Sequence, residues 1–517
     1  FSQLSNTLHN FNSEGFRVGL HLLGASVGSN DPYMTPVPDS RFVTDCHTNL
    51  AGDVSADPGS VQILTTDDAT CFPVGENPYM GSGQIIRIDD ELLEYQRRDE
   101  RGLYECRRGV YGTKISEHKT GARVEHFTRA YGYHLPDLDT DFIDEIASNF
   151  ARLANRLPID MIYFDGSELL QRPGEGSEHW YYNARLHKAF YDKLDNKDVL
   201  FQASSCSPYS WHMIARNASA DGHDDLKAYL EERSGGFDVK HTSESFLDVG
   251  WYYAYDHNST PDMYEYCLGA TIGYDASFSF QTSVGSALAH PFIGEILDLI
   301  NAYETFRLTN TISDDFRKNF QIDSKLAGGK SVEERQALLD LRKEYHLETT
   351  KDGNWAFRRV IYPLWENVGS STSELGGTTA NYAVKEGDSL IWELNVEEPV
   401  QLGFQIHFKE EDAPEGAELT NPVLSVSRIN GDSLEFVGKM IVPTSVKRGQ
   451  YLFMTPKQRA KIYGASLPEP CELDFSTPNL RLEPGKYRLE FDSKSKNALP
   501  IRIRTPLYTD DILSLGK

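Results

Sequence analysis

Cysteine is scarce in this chain. Its 517 residues include six: Cys46, Cys71, Cys106, Cys206, Cys267 and Cys471. None forms a CxxC pair, which argues against a cysteine zinc site, and no metal ligands are assigned. So few thiols make no disulfide framework. Cys71 and Cys106 flank one β-rich stretch and read either as a bridge or as free buried thiols. Long apolar runs are also missing. None reaches the roughly 18 residues that a membrane helix needs, so no membrane partner is expected. Positive charge is in deficit, with 51 Lys and Arg against 77 Asp and Glu, for a net charge of −26. A surface that acidic repels nucleic acid and anionic lipid. It does not exclude an acidic glycan, because a local basic pocket binds a carboxylate whatever the global charge. No GxGxxG follows a strand and no GxxxxGK[ST] occurs, so nucleotide chemistry is not indicated. There is no G-x-S-x-G elbow and no H-x-x-x-H pair. No cofactor is expected, although a structural Ca²⁺ or Mg²⁺ would find loop carboxylates such as Asp31 and Asp39.

The charged share of 25% and aromatic share of 11% are those of a globular protein, and the length predicts two or three domains. The chain opens at Phe1 inside a predicted helix, Gln3 to Phe11. The N-terminus therefore reads as trimmed or incomplete, and a secreted or periplasmic location is an expectation only. Gly15 ends that helix, and Phe16 to Gly24 reads as a buried strand. Beyond residue 127, helices and strands alternate. Helices are predicted near 140–157, 178–194, 224–233, from Thr260-Pro261, and near 293–306. Between them come strands at 159–165, 199–204, 237–244 and 276–281. This alternation predicts a parallel sheet and, with strands missing from view, an α/β (β/α)8-type TIM barrel. After residue 368 the texture turns to period-two strands, as in Leu402 to Phe408 and Lys486 to Phe491, which predicts an antiparallel β-sandwich. The expected domains are a barrel over 1–49 and 128–310, an inserted β module over 50–127, a helical connector over 311–367, and the sandwich over 368–517.

Within the insert, Ile85 to Tyr95 reads as a hairpin bent at Asp89-Asp90. The phrases I-D-D-E at 88–91, R-G-x-x-G-T at 108–113 and H-x-x-G-A-x-V at 118–124 resemble a small β module of phage tail proteins. That resemblance implies a structural or contact module rather than chemistry.

Chemistry is expected where polar residues replace aliphatics at the C-terminal ends of the strands, which is where barrel active sites lie. The candidates are His21, Asp165, Glu168, Gln202, Ser204, His241, Glu244 and Gln281. Asp165 and Glu168 equally suit a helix start, and either histidine equally suits a core position bonded to a neighbouring strand. Aromatic clusters follow three of the strand ends and supply Trp180, Trp211 with His212, and Trp251 with Tyr252. Such rings stack on sugar C–H faces, or else pack helices onto the sheet. Arg216 would anchor a substrate carboxylate bidentately.

A barrel with acids at its strand ends, aromatic loops and a C-terminal sandwich resembles bacterial glycoside hydrolases. The phrase Tyr163-Phe164-Asp165-Gly166-Ser167-Glu168 looks like the fourth-strand motif of barrel glycosidases. It departs from the D-x-D-x-E of chitinase-like enzymes, because only two residues separate the two acids. The resemblance implies cleavage of a poly- or oligosaccharide by paired carboxylates, Asp165 or Glu168 with Glu244. The competing chemistry is β-elimination on a uronide, with His21, His212 or His241 as base, aided by Tyr252 and Arg216. A non-catalytic glycan-binding adhesin is the third reading.

Overall fold

The computed structural model describes residues 2–75, 83–166, 178–204, 209–218, 226–236, 246–253, 259–327, 338, 341–349, 354–361, 366–367, 380–384, 389–408, 413–456, 460–464, 471–472, 480–495 and 499–515. They form two compact units, one of residues 1–218 with 243–245 and one of residues 219–242 with 246–517.

In the first unit, strands Gly19–Leu23, Met161–Asp165, Leu200–Ala203 and Arg216–Ala218 run side by side, all parallel. The strands on either side of the long intervening stretch, Gly19–Leu23 and Met161–Asp165, are thus immediate neighbours. The sheet exists because alternate residues are apolar. Leu20, Leu22, Ile162, Phe164, Phe201 and Ala203 form a core with Ala147, Ala151, Ala154 and Phe190 of helices Phe142–Ala154 and Glu178–Asp192, and with Leu194 just beyond the second. Burying one such Phe or Leu contributes about 1.5–3 kcal/mol. Helix Phe142–Ala154 repeats its buried residues every three or four positions, at Phe142, Ile143, Ile146, Ala147, Ala151 and Ala154. Asp144 and Glu145 in its first turn and Arg152 in its last oppose the helix dipole. Thr140 Oγ1 accepts the Phe142 N–H at 3.2 Å at the start of this helix.

An antiparallel sheet runs in the order Thr44–Asn49, Arg123–Phe127, Ile85–Ile88, Glu91–Glu94, beside a three-stranded sheet; its first strand lies before residue 50, the predicted start of the insert. The hairpin bends at Asp89, whose φ of 50° is a left-handed turn conformation that Asp tolerates. Of the two readings for Cys71 and Cys106, the bridge between them is overturned, since Cys46 bridges Cys71. The Thr44–Asn49 strand brings the two Cα atoms to 5.9 Å, within bridging range, while Cys106 is a free buried thiol pushed up to about 12 by desolvation.

In the second unit, Phe246–Tyr253 and Ser277–Gln281 pair in parallel, joined through helix Pro261–Tyr274. The strand predicted at 237–244 lies outside the described residues. Trp251 to Tyr253, read as loop aromatics, instead end a strand, consistent with the strand preference of aromatic side chains. The stretch 311–367, expected as a helical connector, holds a hairpin of Glu344–Thr349 and Trp355–Ile361. That hairpin pairs with the strand Leu507–Ser514. Antiparallel sheets beyond it share one core, including Trp392, Phe404, Ile406, Val426, Leu489, Phe491 and Ile503. The architecture is mixed α/β. Four parallel strands in one unit and two in the other are not a closed eight-stranded barrel, and none is seen among the described residues. No helix among them is long and apolar enough to cross a membrane.

Candidate active site

The site grows from the register of the first unit's sheet. His21 is aligned with Tyr163, Tyr163 with Gln202, and Gln202 with Arg216. Residues in parallel register point to the same side, so these four cross the sheet as one stripe on the face opposite the helices. Asp165 lies two residues beyond Tyr163 on that same face, at the C-terminal end of its strand, aligned with Leu23.

The Asp165 carboxylate is held on both oxygens. Its Oδ2 lies 3.2 Å from His21 Nε2. Its Oδ1 accepts the Tyr163 hydroxyl at 3.2 Å and the Gly166 N–H at 2.9 Å. The His21 ring also stacks on Tyr163, with centroids 5.2 Å apart. Gly166 is required in this turn. Its φ is +64°, and a Cβ there would lie 2.9 Å from both Leu23 and the Tyr131 ring. Burial alone would raise the Asp165 carboxyl. The hydrogen bond and charge of His21, with the Gly166 and Tyr163 bonds, outweigh it and hold the group below the usual aspartate range. At neutral pH Asp165 is therefore an anion. It remains reachable, with about a third of its side chain and half of that of His21 exposed.

Arg216 sits in a three-residue strand, and its Nη2 donates to Gln202 Oε1 at 2.7 Å. The arginine expected to grip a substrate carboxylate thus already holds a neighbour in the stripe. Trp211 and His212 lie on a single exposed turn, rings edge to face at 5.7 Å. Ser204 follows its strand and donates its backbone N–H to Phe164. Trp180 is half-buried on helix Glu178–Asp192. Gln281 ends a strand of the second unit and is exposed. Trp251 and Tyr252 lie on the strand Phe246–Tyr253, their side chains outside the described set. Glu168, His241 and Glu244 lie outside the described residues, as does any distance from them to Asp165.

Two residues escaped the sequence reading. Tyr163 falls within the predicted strand 159–165 without being singled out, and only the register shows it in the stripe. Asp248 of the second unit is fully buried, aligned with Ser277, and accepts the hydroxyls of Ser277 at 2.8 Å and Ser279 at 2.5 Å. Its signal was a lone acid in the apolar run 246–249 facing an S-x-S strand.

No protein-family model matches the chain, and no curated protein matches it. Solved structures align only distantly. The isomalto-dextranase of Arthrobacter globiformis T6 is 8% identical with a TM-score of 0.28, over 73% of this chain and 74% of that one. A GH36 alpha-galactosidase of Geobacillus stearothermophilus is 10% identical with a TM-score of 0.32, over 95% of this chain and 46% of that one. A GH27 β-L-arabinopyranosidase from the same organism is 8% identical with a TM-score of 0.26, over 95% and 77%. Likeness at this level decides neither fold nor function, so the site must speak for itself.

Proposed function

We propose that this chain is a carbohydrate-active enzyme that hydrolyses glycosidic bonds of a poly- or oligosaccharide, on a sheet that belongs to a (β/α)8-type barrel. The observation that carries the reading is Asp165, an accessible anionic carboxylate at the end of a parallel strand, in a stripe of hydrogen-bonding side chains. Glycoside hydrolysis uses two carboxyl groups with separated roles. An anion is suited to act as nucleophile or water-activating base, and is unsuited to be the proton donor. The donor would then be Glu168 or Glu244. A spacing of about 5–5.5 Å from Asp165 implies retention of anomeric configuration, and about 6.5–9.5 Å implies inversion. Tyr163 and Gly166 hold one oxygen of Asp165, which fixes the direction from which the other works. Gln202 and Arg216 continue the same face as donors and acceptors for sugar hydroxyls.

One observation favours β-elimination instead. His21 is oriented by Asp165, and a carboxylate-held histidine is a competent base. Digestion of a polysaccharide panel separates the two readings. Hydrolysis yields new reducing ends without an unsaturated product, and its rate collapses in Asp165→Asn. Elimination yields an ultraviolet-absorbing unsaturated uronide, and its rate collapses in His21→Ala. A panel with no new reducing ends and no absorbing product would sink both.

A further inference from the structure

The second unit holds a cavity of about 150 Å³, lined among others by Glu265, Glu295, Gln405, Phe453, Thr455 and Tyr508. Its floor has a clear origin in sequence. Strand Phe404–Phe408 is buried along its whole length. Phe404, Ile406 and Phe408 point into the sandwich core, so Gln405 and His407 point to the other side. Gln405 is aligned with Phe453 on one neighbouring strand and with Arg504 on the other. The sheet thus turns a polar and aromatic row toward helix Pro261–Tyr274, whose residues Pro261, Asp262 and Glu265 line the same cavity.

Nearly every charge at the cavity is already matched. Asp262 is gripped by both Arg504 nitrogens at 2.9 and 2.8 Å and by Lys227 at 2.8 Å. Glu348 takes Arg358 at 2.6 Å, and Glu265 takes His346 at 3.0 Å. Glu295 accepts the Tyr463 hydroxyl, and burial pushes its carboxyl upward despite that bond. Among the described residues, one neutral acceptor is left over. Gln405 is 4% exposed, lines the cavity, and its Oε1 has no hydrogen-bond partner among the described residues. A buried carbonyl with no donor costs roughly 1–3 kcal/mol, so a ligand that supplies one is rewarded.

We propose that this cavity is a second ligand site, apart from the Asp165 stripe, that takes one neutral six-membered polyol ring, a single pyranose. Size supports it, because a cavity of roughly 150 Å³ holds a six-membered ring. Charge supports it, because the paired carboxylates and cations leave no large net charge for an ion to answer. Hydrogen bonding supports it, because ring hydroxyls donate to Gln405 Oε1 and Glu295, and the apolar surfaces of Phe453, Leu347 and Val360 suit C–H faces. The inference does not depend on the role of Asp165.

The test is titration of the full chain, with its glutamine side chains isotopically labelled, using glucose, galactose, mannose, xylose and, separately, methylammonium. At least one pyranose should shift the Gln405 side-chain amide signal. The shift should persist in Asp165→Asn, which separates this site from the proposed active site. Gln405→Leu should weaken binding about fivefold or more, the worth of one hydrogen bond, without lowering the thermal midpoint, since it removes an unpaired acceptor. No shift of Gln405 by any pyranose overturns the proposal. So does unchanged affinity in Gln405→Leu, or methylammonium binding more tightly than every sugar, which would make this a cation site.

Discussion

Two carboxylates of the first unit make an instructive contrast. Glu91 of the inserted module is completely buried and accepts five hydrogen bonds. Arg108 supplies two at 2.7 Å, Gly109 and Ser116 backbone N–H groups one each at 3.0 Å, and His118 one at 2.9 Å. The other nitrogen of His118 meets Asp89 at 2.7 Å. Asp89, Glu91, Arg108 and His118, the charged members of the phage-tail-like phrases other than Asp90, form one network. Asp165 accepts three hydrogen bonds and is partly exposed, at the end of a stripe whose Tyr163 and Gln202 are buried. A buried polar group with every lone pair answered has no capacity left for a ligand, so its work is structural. A partly answered anion open to solvent retains that capacity. Matching residue types in a motif do not distinguish the two, but hydrogen-bond saturation does.

The contrast is sharpest in substitution. Asp165→Asn keeps shape and removes charge. It should lower kcat by about 10²–10⁴-fold while leaving the unfolding midpoint nearly unchanged. Glu91→Ala should do the reverse. It strands Arg108 and His118 without their anion and should cost about 3–5 kcal/mol by denaturant titration, with turnover per folded molecule retained. Equal stability loss in both variants would erase the distinction.

Acid should expose the same difference. Burial alone would raise Glu91, but the His118 and Arg108 hydrogen bonds bring it down to about 2, from 4.5. A depressed carboxyl gives stability that is whole above its unfolded value, so the module should weaken as pH falls from 4.5 toward 2. Burial alone would depress His118, but Glu91 and Asp89 raise it above 6.5. Its share is whole below 6.5 and is lost as pH rises through the raised value. The stability gap between wild type and Glu91→Ala should therefore close as pH falls toward 2, and only narrow above the raised His118 value, where Arg108 still pairs with Glu91. A smaller effect belongs to Tyr163→Phe. Losing that hydroxyl removes one bond that lowers Asp165, so the acid limb of the activity profile should move to higher pH. An unmoved limb would mean that another group titrates there.

How much of this was legible from sequence depended on distance along the chain. The run ending at Asp165, the hairpin at Asp89 and the helix start at Thr260-Pro261 were readable, because each is set by neighbouring residues. The stripe was not, since alignment of His21, Tyr163, Gln202 and Arg216 is a matter of register between strands as far apart in sequence as His21 and Tyr163, and the Arg216 strand is too short to show a period. The Glu91 network was equally hidden, as its partners are 17 and 27 residues away. The Cys46–Cys71 bridge and the burial of Asp248 likewise rest on pairings that composition does not encode.

The last test turns the Asp165 strand over. On its covered face Phe164 packs against His187 of helix Glu178–Asp192, ring centroids 4.3 Å apart. His187 is fully buried, and neither ring nitrogen has a hydrogen-bond partner among the described residues. It is the opposite of Glu91, a buried polar group with nothing answered. Desolvation lowers its imidazole from 6.5 to about 3, so the folded state keeps it neutral while the unfolded chain protonates. Stability from this site is whole above 6.5 and drains as pH falls toward 3, by about 2 kcal/mol at roughly pH 5. His187→Leu removes both unanswered nitrogens and keeps an apolar filler. At neutral pH it should raise stability by about 1–2 kcal/mol, and the gain should widen on acidification. Denaturant unfolding of the two proteins at neutral pH and near pH 5 reads both effects. Activity should stay at the wild-type level, because the substitution lies beneath the sheet and Asp165 above it. A variant less stable than wild type at both pH values would show that the histidine nitrogens are answered in solution.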